Sequence, residues 1–253
     1  MFFSMFKLST TILQTIRHQV FPPSCRICKS LVLSGDNQVG CCTTCLSNIY
    51  IMPKDTCIHC GVPMPSSFAP GPCGSCLNKV LPQQQTQSLF IYKGAIRKAM
   101  LAWKLQGESS SLKWLIHSSS TQLQRIFSDE DILIPVPMPI NRMRRSGLHH
   151  SSDLCRLLAQ VIGAKTDWRL LRRTGQSKRQ SSLKGSARQN NFCKAFTLAD
   201  DYADKLSALQ IKGKIWVIDD ILTTGATLRH ACKAMKRTNQ PVFAFSFART
   251  LQN

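Results

Sequence analysis

Apolar residues recur at a helical period over residues 4–20, where Met5, Leu8, Ile12, Leu13 and Ile16 share one side. The pattern stops before Phe21-Pro22-Pro23, so an amphipathic helix is expected within residues 1–24. Further along, Ser88 to Tyr92 reads as a strand, and Ala95 to Leu105 and Ser110 to Phe127 as helices. Ile132 to Val136 is a short buried strand, closed by Pro135, Pro137 and Pro139. Ser151 to Ile162 reads as a helix, with Asp153 near its N-terminus, where a negative charge suits the dipole. A strand is expected over Trp168 to Leu171 and another over Lys214 to Asp220. Ala226 to Arg237 carries Leu228, Ala231, Cys232 and Met235 at helical spacing, and Val242 to Ala248 is a closing strand. Strands alternating with helices over residues 85–253 predict an α/β domain with a mainly parallel sheet flanked by helices.

Two stretches break the periodicity. Pro82 to Gln87 is polar throughout and reads as a linker or solvent-facing turn. Thr174 to Asn191 holds Gly175, Gly185 and many Ser, Gln and basic residues, and reads as a long mobile loop. A loop of that length inside a compact domain is usually functional or disordered.

Composition sharpens this picture. The 253 residues are 43% hydrophobic, enough for one full α/β domain and a smaller unit. Lys and Arg number 33 against 13 acids, and between Arg142 and Lys194 there are 13 Lys/Arg but only Asp153 and Asp167. Such an excess points to a polyanionic partner, phosphorylated small molecules or nucleic acid, or else to a solvated basic surface. The first residues lack the basic n-region of a secretory leader, and no apolar run is long enough to span a membrane. A reducing cytoplasm is expected, where clustered cysteines mean metal before disulfides.

Nine of the twelve cysteines lie between Cys25 and Cys76. Eight form CxxC pairs: Cys25/Cys28, Cys42/Cys45, Cys57/Cys60 and Cys73/Cys76. A CxxC turn sets two sulfurs on one ion, so four pairs fill two tetrahedral structural zinc sites with none left over. Sequential pairing gives Cys25, Cys28, Cys42, Cys45 and Cys57, Cys60, Cys73, Cys76, whereas interleaved pairing satisfies the same count. Cys41 reads as a spectator and His59 as a bystander. Residues 25–80 therefore form a double zinc-ribbon-like module, too small to fold without such staples. Cys155, Cys193 and Cys232 read as small buried hydrophobes.

The strongest chemical signal is Val217-Ile218-Asp219-Asp220-Ile221-Leu222-Thr223-Thr224-Gly225-Ala226-Thr227-Leu228. An apolar strand places Asp219 and Asp220 at the carboxyl edge of a sheet, where open α/β folds bind ligands. Thr223, Thr224, Gly225, Ala226 and Thr227 then present backbone N–H groups at a helix N-terminus, a site made for a phosphate. Gly225 permits the tight turn. The two aspartates suit ribose hydroxyls one sugar length away and are the candidate catalytic pair. Two basic segments would complete the site: Arg142, Arg144 and Arg145 after Ile134-Pro135-Val136-Pro137, and the loop carrying Arg172, Arg173, Gln180, Lys184 and Arg188. Arg144, Arg145 and Arg188 are the cations chosen to hold a diphosphate.

The stretch Val217 to Leu228 resembles the PRPP motif of type I phosphoribosyltransferases. The CxxC pairs, the Pro-Val-Pro strand with its Arg run, the loop residues Gln180, Leu183, Arg188, Asn191, Ala195 and Phe196, and the VIDDILTTGATL cradle together resemble the ComF family, from Cys25 to Arg249. The resemblance implies a type I phosphoribosyltransferase-like domain behind a zinc module, binding PRPP with magnesium. It further implies a role in uptake of transforming single-stranded DNA at the inner face of the inner membrane, with a DNA-import helicase and other competence factors as partners. Where the family usually carries Arg-Gly-Phe-Asn-Gln, this chain has Ser146-Gly147-Leu148-His149-His150. Three functions remain open at this point: a phosphoribosyltransferase of unknown acceptor, a binding module for ribose phosphates or single-stranded DNA, and a scaffold that docks a helicase. Trp103, Trp114, Trp168 and Phe192 are the aromatic residues available for base stacking.

Overall fold

The computed structural model describes residues 23–32, 40–67, 69–139, 143–144, 147, 149–174 and 195–251. The helix expected over residues 4–20, and all but the first residue of the loop expected from Thr174, lie outside them. The described helices are α1 (Thr43–Ser47), α2 (Gly94–Gln106), α3 (Ser110–Ser118), α4 (Ser120–Ile126), α5 (His150–Ile162), α6 (Tyr202–Leu209) and α7 (Ala226–Met235). The strands are β1 (Thr86–Ile91), β2 (Ile132–Pro135), β3 (Lys165–Thr166), β4 (Leu171–Arg173), β5 (Phe196–Leu198), β6 (Ile215–Leu222) and β7 (Val242–Arg249).

Five strands form one sheet in the order β1-β7-β6-β2-β3, with every pair parallel. β6 and β7 lie at its centre because their apolar runs can bury both faces. Alternate side chains of β6 enter different cores. Trp216 and Ile218 pack with Phe245 and Phe247 of β7 under α2, α3, α4 and α5. Ile215 and Val217 pack with Val242 and Ala244 against α7 and the antiparallel β4–β5 pair. This is the mainly parallel, helix-flanked α/β sheet of a type I phosphoribosyltransferase-like fold. It stacks all strand ends of the central sheet at one edge, with the turn after β6 among them.

The register at the opposite edge is fixed by Asp131. Its carboxylate accepts from the Lys214 N–H at 2.7 Å, the Ser128 N–H at 3.0 Å and the Trp216 indole N–H at 3.0 Å. The residue is 2% exposed, so all three donors depend on it.

The cysteine module packs on the sheet domain. Cys25, Ile27, Val32, Cys41 and Cys45 share the core that contains Leu89, Trp103 and Leu112. Between the two ribbons, Tyr50 to Met52 runs antiparallel along β1, with Ile51 opposite Phe90. The Ile91 N–H donates to Tyr50 at 2.8 Å and the Met52 N–H to Leu89 at 3.0 Å.

Several local expectations need correction. The polar stretch Pro82 to Gln87 is not a free linker. Gln83 and Thr86 are buried, and the Thr86 hydroxyl donates to the His59 carbonyl at 2.6 Å. The long helix expected over Ser110 to Phe127 divides at Ser119, within three serines whose hydroxyls compete for backbone partners. Trp168 to Leu171 is not a strand: the Asp167 carboxylate accepts from the Arg169 N–H at 2.7 Å and makes a turn, so β4 begins only at Leu171. β5 and α6 were not anticipated. Cys155 and Cys232 are fully buried, as expected, while Cys193 lies outside the described residues.

Removing the Asp131 carboxylate would strand the buried Trp216 N–H and two backbone donors. Asp131→Ala is expected to lower stability by about 3 kcal/mol. Chemical denaturation followed by tryptophan fluorescence measures it.

Candidate functional site

β6 is buried from Ile215 to Ile218, and its sequence then changes from apolar residues to the half-buried Asp219 and Asp220. Beyond Leu222 the chain turns through Thr223 and Thr224 to Gly225, which adopts φ 73°. That left-handed conformation favours glycine. α7 follows at once, and no side chain caps its N-terminus. Within the turn, the Ala226 N–H reaches the Thr224 hydroxyl at a long 3.4 Å. Arg229 holds the turn from below by donating to the Thr224 carbonyl at 3.0 Å. The amides of the first helical turn are therefore available, and the dipole makes their end positive.

The two acids are held by the helices on one face. Asp219 accepts from the Ser151 hydroxyl of α5 at 3.3 Å and from the Asp220 N–H at 2.9 Å. Burial, and then the neighbouring Asp220 carboxylate, push the Asp219 carboxyl up to about 7. The Asp220 N–H, Lys104 and Ser151 oppose that rise. Asp220 is ion-paired with Lys104 of α2 at 2.6 Å, with both side chains mostly covered.

The start of α5 carries His149 and His150. His149 is the N-cap, its Nδ1 3.1 Å from the Ser152 N–H, while its Nε2 lies 3.1 Å from the Met138 N–H. A neutral ring accepts at only one of these nitrogens. His150 is buried edge-on to Trp103, with ring centroids 4.9 Å apart, and its Nε2 has no hydrogen-bond partner. Burial holds both histidines below the usual histidine range, which favours their neutral forms. They act here as helix cap and core residue.

Of the cations assigned to a diphosphate, Arg144 is exposed on a helical stretch after β2, and Arg145 and Arg188 lie outside the described residues. Lys104 and Ser151 were missed by sequence reasoning. Lys104 follows Met100 by four residues and extends the buried stripe Ile96, Met100, Trp103. A charge on an apolar stripe was the available signal. Trp103 is core, Trp168 is 66% exposed, and Phe192 lies outside the described residues.

The cysteines gather as two groups in sequential pairing: Cys25, Cys28, Cys42, Cys45 and Cys57, Cys60, Cys73, Cys76. Within each group all sulfurs lie within 4.8 Å of one another. Cys28 to Cys42 and Cys60 to Cys73 are both 3.7 Å. Zn–S bonds of about 2.3 Å in a tetrahedron set sulfurs about 3.8 Å apart, so each group fits zinc. Backbone N–H groups point at the sulfurs: Ile27 to Cys25 at 3.4 Å, Cys45 to Cys42 at 3.4 Å and Cys73 to Cys57 at 3.1 Å. Such donors favour thiolate. Cys41 belongs to neither group. It lies 3.7 Å from the Cys25 sulfur, and burial followed by that neighbour pushes its thiol up to about 12.

Two measurements follow. The chain is expected to carry two zinc ions, and Cys28→Ser or Cys60→Ser only one, as read by native mass spectrometry. Asp219 binds its proton more tightly folded than unfolded between its ordinary 3.8 and about 7. Its contribution to stability therefore falls as pH rises through that window and is flat above it. Asp219→Asn should gain stability relative to the parent chain from pH 5 to pH 8, measured by urea denaturation at each pH.

The double zinc ribbon domain family matches residues 16–77. The chain is 28% identical over 222 residues to the DNA utilization protein YhgH of Escherichia coli O6:H1, covering 85% of this chain and 92% of that protein. It is 26% identical over 223 residues to the protein of the same name from Salmonella typhimurium, with the same coverage. The Competence protein ComFC of Bacillus subtilis is 22% identical over 220 residues, covering 85% of each chain. With an N-terminal double zinc ribbon and similarity to these proteins over most of its length, the chain is similar to the ComF family, of which a zinc module ahead of an α/β domain is the expected layout.

Proposed function

We propose that the chain serves DNA uptake or utilization, and that the turn after β6 binds a 5-phosphoribosyl ligand, PRPP or ribose 5-phosphate. One observation carries this reading: an uncapped helix start, opened by Gly225 at φ 73°, directly follows paired aspartates at the strand end. The amides of Thr223 to Thr227 would take the 5′-phosphate. Asp219 and Asp220 would accept from the ribose hydroxyls, Asp220 exchanging its Lys104 partner for them. Arg144, with Arg145 and Arg188, would face a diphosphate. Magnesium would arrive with PRPP, carried chiefly by the ligand's own phosphates. The DNA role rests on the names of the relatives, a DNA utilization protein and a competence protein. On this reading the chain would work on the cytoplasmic side of the inner membrane beside a DNA-import helicase. No helix among the described residues is long and apolar enough to cross a membrane.

A second reading keeps the cradle and changes the ligand. Trp168 is 66% exposed, beside Arg169 and close in sequence to Arg172, a stacking face with neighbouring cations. This favours a single strand whose 5′-phosphate end enters the cradle.

Calorimetry separates the two. Magnesium–PRPP is expected to bind the parent chain, and Gly225→Val to weaken it by about tenfold or more, because a β-branched residue resists a left-handed turn. Asp219→Asn with Asp220→Asn should weaken PRPP but spare inorganic phosphate. Binding of 5′-phosphorylated but not 5′-hydroxyl oligonucleotides, weakened by Trp168→Ala and by salt, would favour the second reading. Neither ligand binding at the cradle would end both.

A further inference from the structure

Arg249 is the last residue of β7, yet its side chain reaches into the second ribbon. Its Nη1 donates to the Cys60 carbonyl. Its Nε is buried and has no hydrogen-bond partner. No ion pair among the described residues joins it to a carboxylate. The groups whose charge it does meet are the sulfurs of Cys60, Cys57 and Cys73. The approach is close: Gly61 adopts φ 70°, and a side chain there would meet the Thr86 carbonyl at 2.7 Å and the guanidinium at 3.6 Å.

A half-buried guanidinium whose covered Nε lacks an acceptor, with one carbonyl acceptor and no carboxylate among the described residues, is poorly compensated. Zinc held by four thiolates carries a net charge of about −2, which supplies the missing partner. Second-layer groups of this kind commonly tune a metal centre. We propose that Arg249 is the counter-charge of the second zinc centre, the one formed by Cys57, Cys60, Cys73 and Cys76, and fastens it to the end of the last sheet strand. The inference does not depend on what the cradle binds.

The first ribbon has a different arrangement. Its cations are Arg26, which is exposed, and Lys29, which is half-exposed and ion-paired with Glu108 at 3.0 Å. Arg249 thus distinguishes two centres with identical ligand sets, and the first serves as an internal control.

The test follows zinc transfer to a chromophoric chelator. Cys28→Ser and Cys73→Ser backgrounds assign each kinetic phase to its site. Arg249→Met is expected to speed release from the second centre by about tenfold, leaving the first unchanged, and Arg249→Lys to fall between. Release at the parental rate, or equal acceleration at both centres, overturns the proposal. The second would mark general loosening of the fold. A second measurement uses the unmodified chain. Arginine-selective dicarbonyl labelling, read by mass spectrometry, should spare Arg249 in the two-zinc protein and label it once the second zinc is removed. Equal labelling in both states overturns the proposal independently of any variant.

Discussion

Two carboxylates side by side at the end of a buried strand are the constraint around which the sheet domain is arranged. Adjacent acids repel one another, and burial penalises both. The protein offsets this from three directions: the Asp220 N–H and the Ser151 hydroxyl on Asp219, and the Lys104 ammonium on Asp220. These partners come from β6, α5 and α2, so the packing of two helices against the sheet is tied to the electrostatics of one dipeptide. Such a pair next to an open helix start is what the proposed ligand, with its hydroxyls and phosphate, would require.

Sequence reasoning located this strand, its turn and the following helix closely, because the apolar run, the acids and the Thr-Thr-Gly turn each carry a local signal. The sheet's parallel character was also legible, since alternating strands and helices leave few other topologies. What was not legible lies in partners distant along the chain. Lys104 and Asp220 are 116 residues apart, and nothing local marks Lys104 except its place on an apolar stripe. The β4–β5 pair escaped because three-residue strands carry no period. Pro82 to Gln87 misled because polar side chains can be buried when each finds a partner, as Thr86 does with His59.

The cysteine pairs were readable as zinc ligands from spacing alone, but their pairing was not. Sequential grouping emerges from where the short helix α1 and the ribbon turns set the sulfurs. The larger surprise is how little separates ribbons from sheet. Cys25 and Cys45 are core residues of the same cluster as Trp103, and Arg249 enters the second ribbon from the opposite end of the chain. A metal module that looks like an appendage in sequence is one wall of the interior.

The extended segment Tyr50 to Met52, bridged to β1 at Ile51, has a consequence for the molecule in a crowded solution. On its flank the outermost strand β1 would otherwise present bare amides and carbonyls to any passing chain, an invitation to polymerise. The opposite margin, β3, is only two residues long and offers little to grip. Because the covering segment hangs between two metal-clasped turns, loss of the metals would uncover that flank, and the same event that loosens the module would turn the protein sticky.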